Sequence, residues 1–206
     1  NKNYLNVKRN GGIGDVVMVL CIAKVLNDQG YKIKFSTTPR LIDFVKLQSY
    51  IDDGGSEDIY DGLDYDRIEH DGRFNLHYES KDDPASDAFI RYTNFTFPNI
   101  NIRKDILKYD IKYPLEFKDR VMKLFSKHPK PWILLNTSAS VSNRSLPKEL
   151  NQKIQSDYNG SGTIFWLGLT NLLEKNNFIL QLLGYDLFHN INADLFYYIA
   201  AIDCCD

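Results

Sequence analysis

Tyr4-Leu5-Asn6-Val7-Lys8-Arg9-Asn10-Gly11-Gly12-Ile13-Gly14-Asp15-Val16-Val17 lies near the start of the chain and decides how the rest is read. Tyr4 to Lys8 alternate in character and are β-prone. Asn10 to Gly14 interrupt that run, and Val16 to Asn27 are apolar at most positions, with Gly30 just beyond. The stretch predicts a strand, a glycine loop and a mostly buried helix closed by a glycine C-cap. Tyr31 to Ser36 reads as the next strand, Pro39 stands where a first helical turn would begin, and Leu41 to Leu47 has helical spacing. Strand–helix–strand–helix with short connections predicts a parallel sheet covered on both faces.

Further along, Ile51 to Gly72 is rich in Asp and Gly and reads as a surface run with short strands at best. Phe74 to Tyr78 reads as a strand, Ala85 to Phe95 as a helix, Asp110 to Tyr113 as a strand and Phe117 to Lys127 as a helix. His128-Pro129-Lys130-Pro131 follows, and this proline pair marks the expected domain boundary. Beyond it the alternation restarts. Trp132 to Asn136 is a predicted strand, Thr137 to Ser145 a polar loop, and Leu146-Pro147 the opening of a helix to about Asp157. Gly162 to Leu167 and Leu187 to Ile191 read as strands, Asn171 to Leu183 as a helix, and Asn192 as the cap of a final helix. The expected class is α/β: two Rossmann-like domains with mainly parallel sheets, residues 1–128 and residues 129–206.

The bulk composition excludes several functions. The 206 residues carry 25 basic and 27 acidic side chains, a formal charge of −2, which leaves no broad basic surface for a nucleic-acid backbone. Cys204 and Cys205 are adjacent, too close for an unstrained disulfide, and Cys21 sits in an apolar helical run as a small core residue. No CxxC or HxxxH spacing suggests a metal, so none is expected. No run approaches a membrane span and no signal segment opens the chain, so the default compartment is cytoplasmic.

A glycine loop between a strand and a helix lets backbone N–H groups approach a ligand, allows φ > 0, and places the ligand at the helix's partial positive charge. A dinucleotide cofactor is disfavoured here. Gly12-x-Gly14 is followed by Val17 where a third small residue belongs, and no acid occurs between Lys34 and Thr37 to bind a ribose. Asp15 has two readings. As an N-cap it would accept from the N–H groups of the first turn, and Asp15→Asn would then cost little stability. As a residue at the C-terminal edge of a parallel sheet it could accept a proton from a substrate hydroxyl.

Val7 to Val17, followed by a helix and the strand Tyr31 to Ser36, resembles the opening of glycosyltransferase family 9, which includes the ADP-heptose lipopolysaccharide heptosyltransferases. The family signature is a basic residue, a short glycine or serine loop, then Gly-Asp and an apolar helix; here Gly14 and Asp15 match the pair. Leu134-Leu135-Asn136-Thr137-Ser138, with Ser140, Arg144 and Leu146-Pro147, resembles the opening of that family's second domain. The resemblance implies a GT-B-like fold, with an acceptor-binding domain over residues 1–128 and a nucleotide-sugar-binding domain over residues 129–206. It implies Asp15 as the general base of an inverting transfer. It also implies that Thr137, Ser138, Ser140 and Arg144 bind the donor's pyrophosphate, and the glycine loop of the signature corresponds to Asn10, Gly11, Gly12 and Gly14. The loop from Thr137 is about one residue longer than the family's. Family members continue with a further strand and an Asp-Ser or Asp-Thr pair. This sequence has no such pair and stops at Asp206, so the second domain is expected to be incomplete and the chain truncated.

The implied reaction moves a heptose or other hexose-like sugar from a nucleotide-diphosphate sugar to a hydroxyl of a glycan or lipopolysaccharide-type acceptor. Guanidinium and hydroxyl donors can carry the charge of the leaving diphosphate, so neither metal nor cofactor is expected. The expected partners are a nucleotide sugar and a glycan or glycolipid, compatible with peripheral membrane association; nucleic acid is disfavoured. Two rival readings stand beside this one. The first is a catalytically inactive GT-B-derived binding module. The second is a GT-B enzyme of another class, such as an epimerase, or one acting on another acceptor such as nucleic acid.

Overall fold

The structure, a computed structural model, describes residues 4–58, 61–74, 85–136, 147–157, 163–167 and 191–205. It divides into two compact units, Asn1–Lys112 and Tyr113–Asp206.

The first unit holds β1 (Tyr4–Lys8), α1 (Ile13–Asp28), β2 (Lys32–Ser36), α2 (Ile42–Lys46), β3 (Asp53–Gly55), β4 (Leu63–Asp64) and α3 (Ala85–Thr96). Its sheet runs β3-β2-β1-β4 with every pair parallel, a Rossmann-like order. Leu5 and Val7 stand opposite Ile33 and Phe35, and Val7 is also level with Leu63. All five side chains are buried, each stabilising the fold by about 1.5–3 kcal/mol. Helix α1 buries Val16, Val19, Leu20, Cys21, Ile22, Ala23, Val25 and Leu26, as an almost wholly apolar run must. It ends in a Schellman turn. The Gly30 N–H donates to the Asn27 carbonyl at 2.8 Å and the Tyr31 N–H to Leu26 at 3.2 Å, with Gly30 at φ +94°.

The other face of β1 and β2 departs from expectation. Tyr4, Asn6, Lys8, Lys32 and Lys34 alternate with the buried residues and stay exposed or half-buried. The ammonium groups of Lys32 and Lys34 lie 5.4 and 4.9 Å from the centre of the Tyr4 ring. Among the described residues this is a polar face, so the sheet is not apolar on both sides. Strands buried on both faces read as continuous apolar runs, and these alternate.

Two further expectations change. Asp110 to Tyr113 forms no strand, because the hydrogen bonds of Lys112 go to a side chain. The Gln48 amide accepts from the Lys112 N–H at 2.9 Å and donates to its carbonyl at 3.1 Å. Phe74 closes a turn, its N–H donating to the Asp71 carbonyl; residues 75–78 of that expected strand lie outside the described residues.

The second unit holds α4 (Leu115–Phe125), β5 (Trp132–Asn136), α5 (Lys148–Asp157), β6 (Thr163–Leu167) and α6 (Ile191–Cys204). β5 and β6 pair in parallel from Trp132↔Thr163 to Asn136↔Leu167, in a sheet separate from the first. Val121 and Phe125 of α4, Trp132 of β5, and Tyr197, Ala200 and Ala201 of α6 form one buried cluster. Phe117 meets the Tyr197 ring edge-on at 4.7 Å, and Phe125 meets Trp132 at 5.5 Å. This packing groups α4 with the second unit, and the units divide ahead of the proline pair. Helix α6 already includes Ile191, so the strand expected from Leu187 cannot reach that residue; residues 187–190, like the helix expected from Asn171, lie outside the described residues.

Candidate functional site

The strand order reverses at β1: β2 lies on one side, and β4, reached later in the chain, on the other. Ligands of open α/β sheets bind outside the carboxyl ends of the strands at such a switch point. Two segments leave the sheet there, the loop from Arg9 to Gly12 after β1 and the stretch from Tyr65 after β4.

Arg9 is the centre of the site. Its N–H donates to the Ser36 carbonyl at 3.0 Å, extending the β1–β2 pairing by one residue, and its side chain is 1% exposed. Nη2 donates to Asp15 Oδ2 at 3.1 Å, and Nη1 to the Tyr65 carbonyl at 3.3 Å and to Asp66 Oδ1 at 3.5 Å. The guanidinium carbon lies 5.3 Å from the centre of the Phe89 ring. A buried guanidinium needs such partners, because an uncompensated buried charge is costly. Asp66 also receives the Asn10 backbone N–H on Oδ1 and the Asn10 Nδ2 on Oδ2, both at 2.8 Å. The loop after β1 is thereby clamped to the segment after β4.

That second segment is itself held by aromatic packing. Tyr65 is fully buried, its hydroxyl 2.6 Å from Thr93 Oγ1, and its ring meets Phe89 and Tyr92 edge-on at 5.4 and 5.3 Å. Burial pushes the Tyr65 hydroxyl far above its ordinary range, so it serves as a neutral hydrogen-bonding group. The Asp64 N–H donates to the Tyr92 hydroxyl at 3.2 Å.

Helix α1 begins at Ile13, with Gly12 as its N-cap at φ −66° and ψ 158°. Asp15 is therefore the third helical residue and not the cap. Its own N–H donates to the Gly12 carbonyl at 3.1 Å, while its carboxylate turns back to Arg9. The side chain is 17% exposed, and among the described residues only Oδ2 accepts a hydrogen bond, which leaves Oδ1 open. The cap reading of Asp15 is thus replaced by an ion pair. With it falls the expectation that Asp15→Asn costs little stability, since that change deprives a buried arginine of an anionic partner.

The positive φ expected of the glycine loop is absent. None in the loop has positive φ; among the described residues only Gly30 and Gly62 do. A Cβ on Gly11 would stand 2.9 Å from Asp15 Oδ2 and 3.2 Å from Arg9 Nε, so Gly11 makes room for the ion pair. A Cβ on Gly12 would make only ordinary contact with Asp15, and one on Gly14 would meet nothing within 4 Å. Gly12 and Gly14 are exposed. A nearby cavity of about 290 Å³, lined by Asn6, Lys34, Ser36, Asp53 and Asp58 among others, does not include the loop. Asp58 there binds Lys8 Nζ at 2.6 Å, which raises the ammonium's pKa above its ordinary range.

Asn10, Gly11, Gly12, Gly14 and Asp15 lie together at the carboxyl end of β1 and the start of α1. Thr137, Ser138, Ser140 and Arg144 lie outside the described residues. Asp66, Tyr65 and Phe89 were missed. The available signal was an apolar residue followed by acids, Leu63-Asp64-Tyr65-Asp66, the pattern of a strand that ends in a site. Among the described residues no group of three or more His, Cys, Asp or Glu side chains is placed to hold a metal ion, and no helix is long and apolar enough to cross a membrane.

No family model matches the chain, and no curated protein matches it. Among solved structures, the crystal structure of the glycosyl transferase family 9 protein from Veillonella parvula DSM 2008 superimposes with a TM-score of 0.64 at 13% identity, covering 100% of this chain and 74% of that one. At that identity the likeness is one of fold: the chain is folded like a glycosyl transferase of family 9.

Proposed function

We propose that this protein is an inverting glycosyltransferase, passing a heptose or other hexose-like sugar from a nucleotide-diphosphate sugar to a hydroxyl of a glycan or lipopolysaccharide-type acceptor. One observation carries the reading. Asp15 stands at the switch point of a parallel sheet, part-exposed, with one carboxylate oxygen held by a buried arginine and the other accepting no hydrogen bond among the described residues. A general base needs that arrangement: a fixed direction, a vacant lone pair, and room for the hydroxyl it deprotonates. The acceptor oxygen then attacks the anomeric carbon as the bond to the diphosphate breaks, and the proton passes to Asp15. Arg144, Thr137, Ser138 and Ser140 hold the departing diphosphate, and no metal is required for that charge.

The test offers the full-length protein a panel of nucleotide-diphosphate heptoses and hexoses with glycan and glycolipid acceptors, following nucleotide release and product by NMR. The expected product has the anomeric configuration opposite to the donor's. Retention of configuration would remove Asp15 from the role of base. Tight glycan binding without nucleotide release from any donor would favour the binding module.

A further inference from the structure

We infer that Asp66 is a positioning residue for Asp15, acting through Arg9 and Asn10; this rests on the reading of Asp15 as the base. Asp66 makes no hydrogen bond to Asp15, yet it holds the same guanidinium that holds Asp15, together with the Tyr65 carbonyl and the Phe89 ring. Its Oδ1 receives the Asn10 N–H at 2.8 Å and Arg9 Nη1 at 3.5 Å, and its Oδ2 receives Asn10 Nδ2 at 2.8 Å. The same guanidinium donates through Nη2 to Asp15 at 3.1 Å. A planar guanidinium held on Nη1 and along one ring face can turn very little, so the direction of Nη2 is set from the β4 side. Gly11 then lets the Asp15 carboxylate reach that donor. Asp66 is only part-buried, its side chain 27% exposed, so it can be changed without opening the apolar core. Its carboxylate suits the two-donor face of Asn10 in a way an amide cannot, because one end of an amide would present N–H groups to N–H groups.

The experiment uses the full-length protein with aspartate carboxyl carbons labelled with ¹³C. Asp15→Asn assigns the Asp15 resonance by its disappearance. In Asp66→Asn, with fold verified by circular dichroism, that resonance is expected to shift and broaden. Asn10→Ala, which removes only one of the Asn10 bonds, should produce a smaller change in the same direction. Asp28→Asn, which breaks an exposed pair at the far end of α1, should leave it in place. An Asp15 resonance unmoved in folded Asp66→Asn would overturn the proposal, and Asn10→Ala carries the same test should Asp66→Asn not fold. Transfer kinetics separate this proposal from the one beneath it. Asp66→Asn should lower kcat about 10-fold or more with KM little changed, and should add nothing in an Asp15→Asn background. A full additional loss in that background would give Asp66 a role independent of Asp15 and overturn the inference. Near-normal transfer by Asp15→Asn alone would instead sink the base.

Discussion

Gly11 and Gly14 stand three residues apart and answer to different demands. Gly11 is required by contact, since a methyl group there would sit 2.9 Å from Asp15 Oδ2. Gly14 lies in the first turn of α1, faces open space and has no positive φ. Gly14→Ala should therefore stabilise the fold by about 0.4–1 kcal/mol through the unfolded chain, read as a higher urea midpoint. Gly11→Ala should do the opposite and slow transfer more than its stability loss explains, because it parts Asp15 from Arg9. Equal effects of the two changes would mean that the loop needs glycine for flexibility alone. Sequence pattern could locate these glycines. It could not assign their roles, which depend on where the Arg9 and Asp15 side chains point.

At the scale of elements, Gly62 and Asp203 make separable predictions. Gly62 precedes β4 at φ +103°, and a Cβ there would come within 2.2 Å of the Asn6 carbonyl oxygen. Gly62→Ala should cost at least about 2 kcal/mol in chemical denaturation and loosen the β1–β4 pairing that brings Asp66 to Arg9. On α6, Asp203 accepts from Lys118 Nζ at 2.7 Å and from the Tyr113 hydroxyl at 2.6 Å. The Lys118 bond and then the Tyr113 bond hold its carboxyl below the ordinary carboxylate range. A depressed folded pKa means a contribution present above the unfolded pKa and lost as pH falls through the folded one. Stability from this pair should therefore fade below about pH 4, by under about 1 kcal/mol because the pair is exposed. Asp203→Asn should flatten that part of the acid profile; an unchanged profile would show that the contact contributes nothing. Strands and helices with strong periodicity were legible from sequence, β5 to the residue. The alternation of Tyr4 to Lys8 was legible too, and it already spoke for one polar face. Asp110 to Tyr113 was not, because a β-like pattern can satisfy its backbone with the side chain of Gln48, a partner no local window contains.

For the molecule as a whole, a parallel first sheet was implied by the opening alternation and a separate second sheet by its restart, and the fold likeness agrees with that class; the order β3-β2-β1-β4 comes from the structure alone. Half of the candidate site was legible because it lies in one continuous motif. The other half, Tyr65, Asp66 and Phe89, reaches Arg9 only through the return of the chain to β4, which no motif announced. Burial should also divide the cysteines. The Cys21 thiol, pushed up to about 11 by desolvation, should resist alkylation at neutral pH until the protein unfolds, while half-buried Cys205 labels first by mass spectrometry. Calorimetric titration with nucleoside diphosphates should show weaker binding in Arg144→Ala; unchanged affinity would remove Arg144 from the donor site. The most direct measurement compares transfer by wild type and Asp15→Asn, per folded molecule and well below both melting temperatures. The account predicts a rate lower by about 10²–10⁴-fold, the usual worth of a general base. It also predicts a stability loss of about 1–3 kcal/mol from the weakened Arg9 pair. A folded Asp15→Asn protein that loses that stability yet transfers sugar at a near-normal rate would contradict the account, leaving Asp15 as the structural partner of a buried arginine.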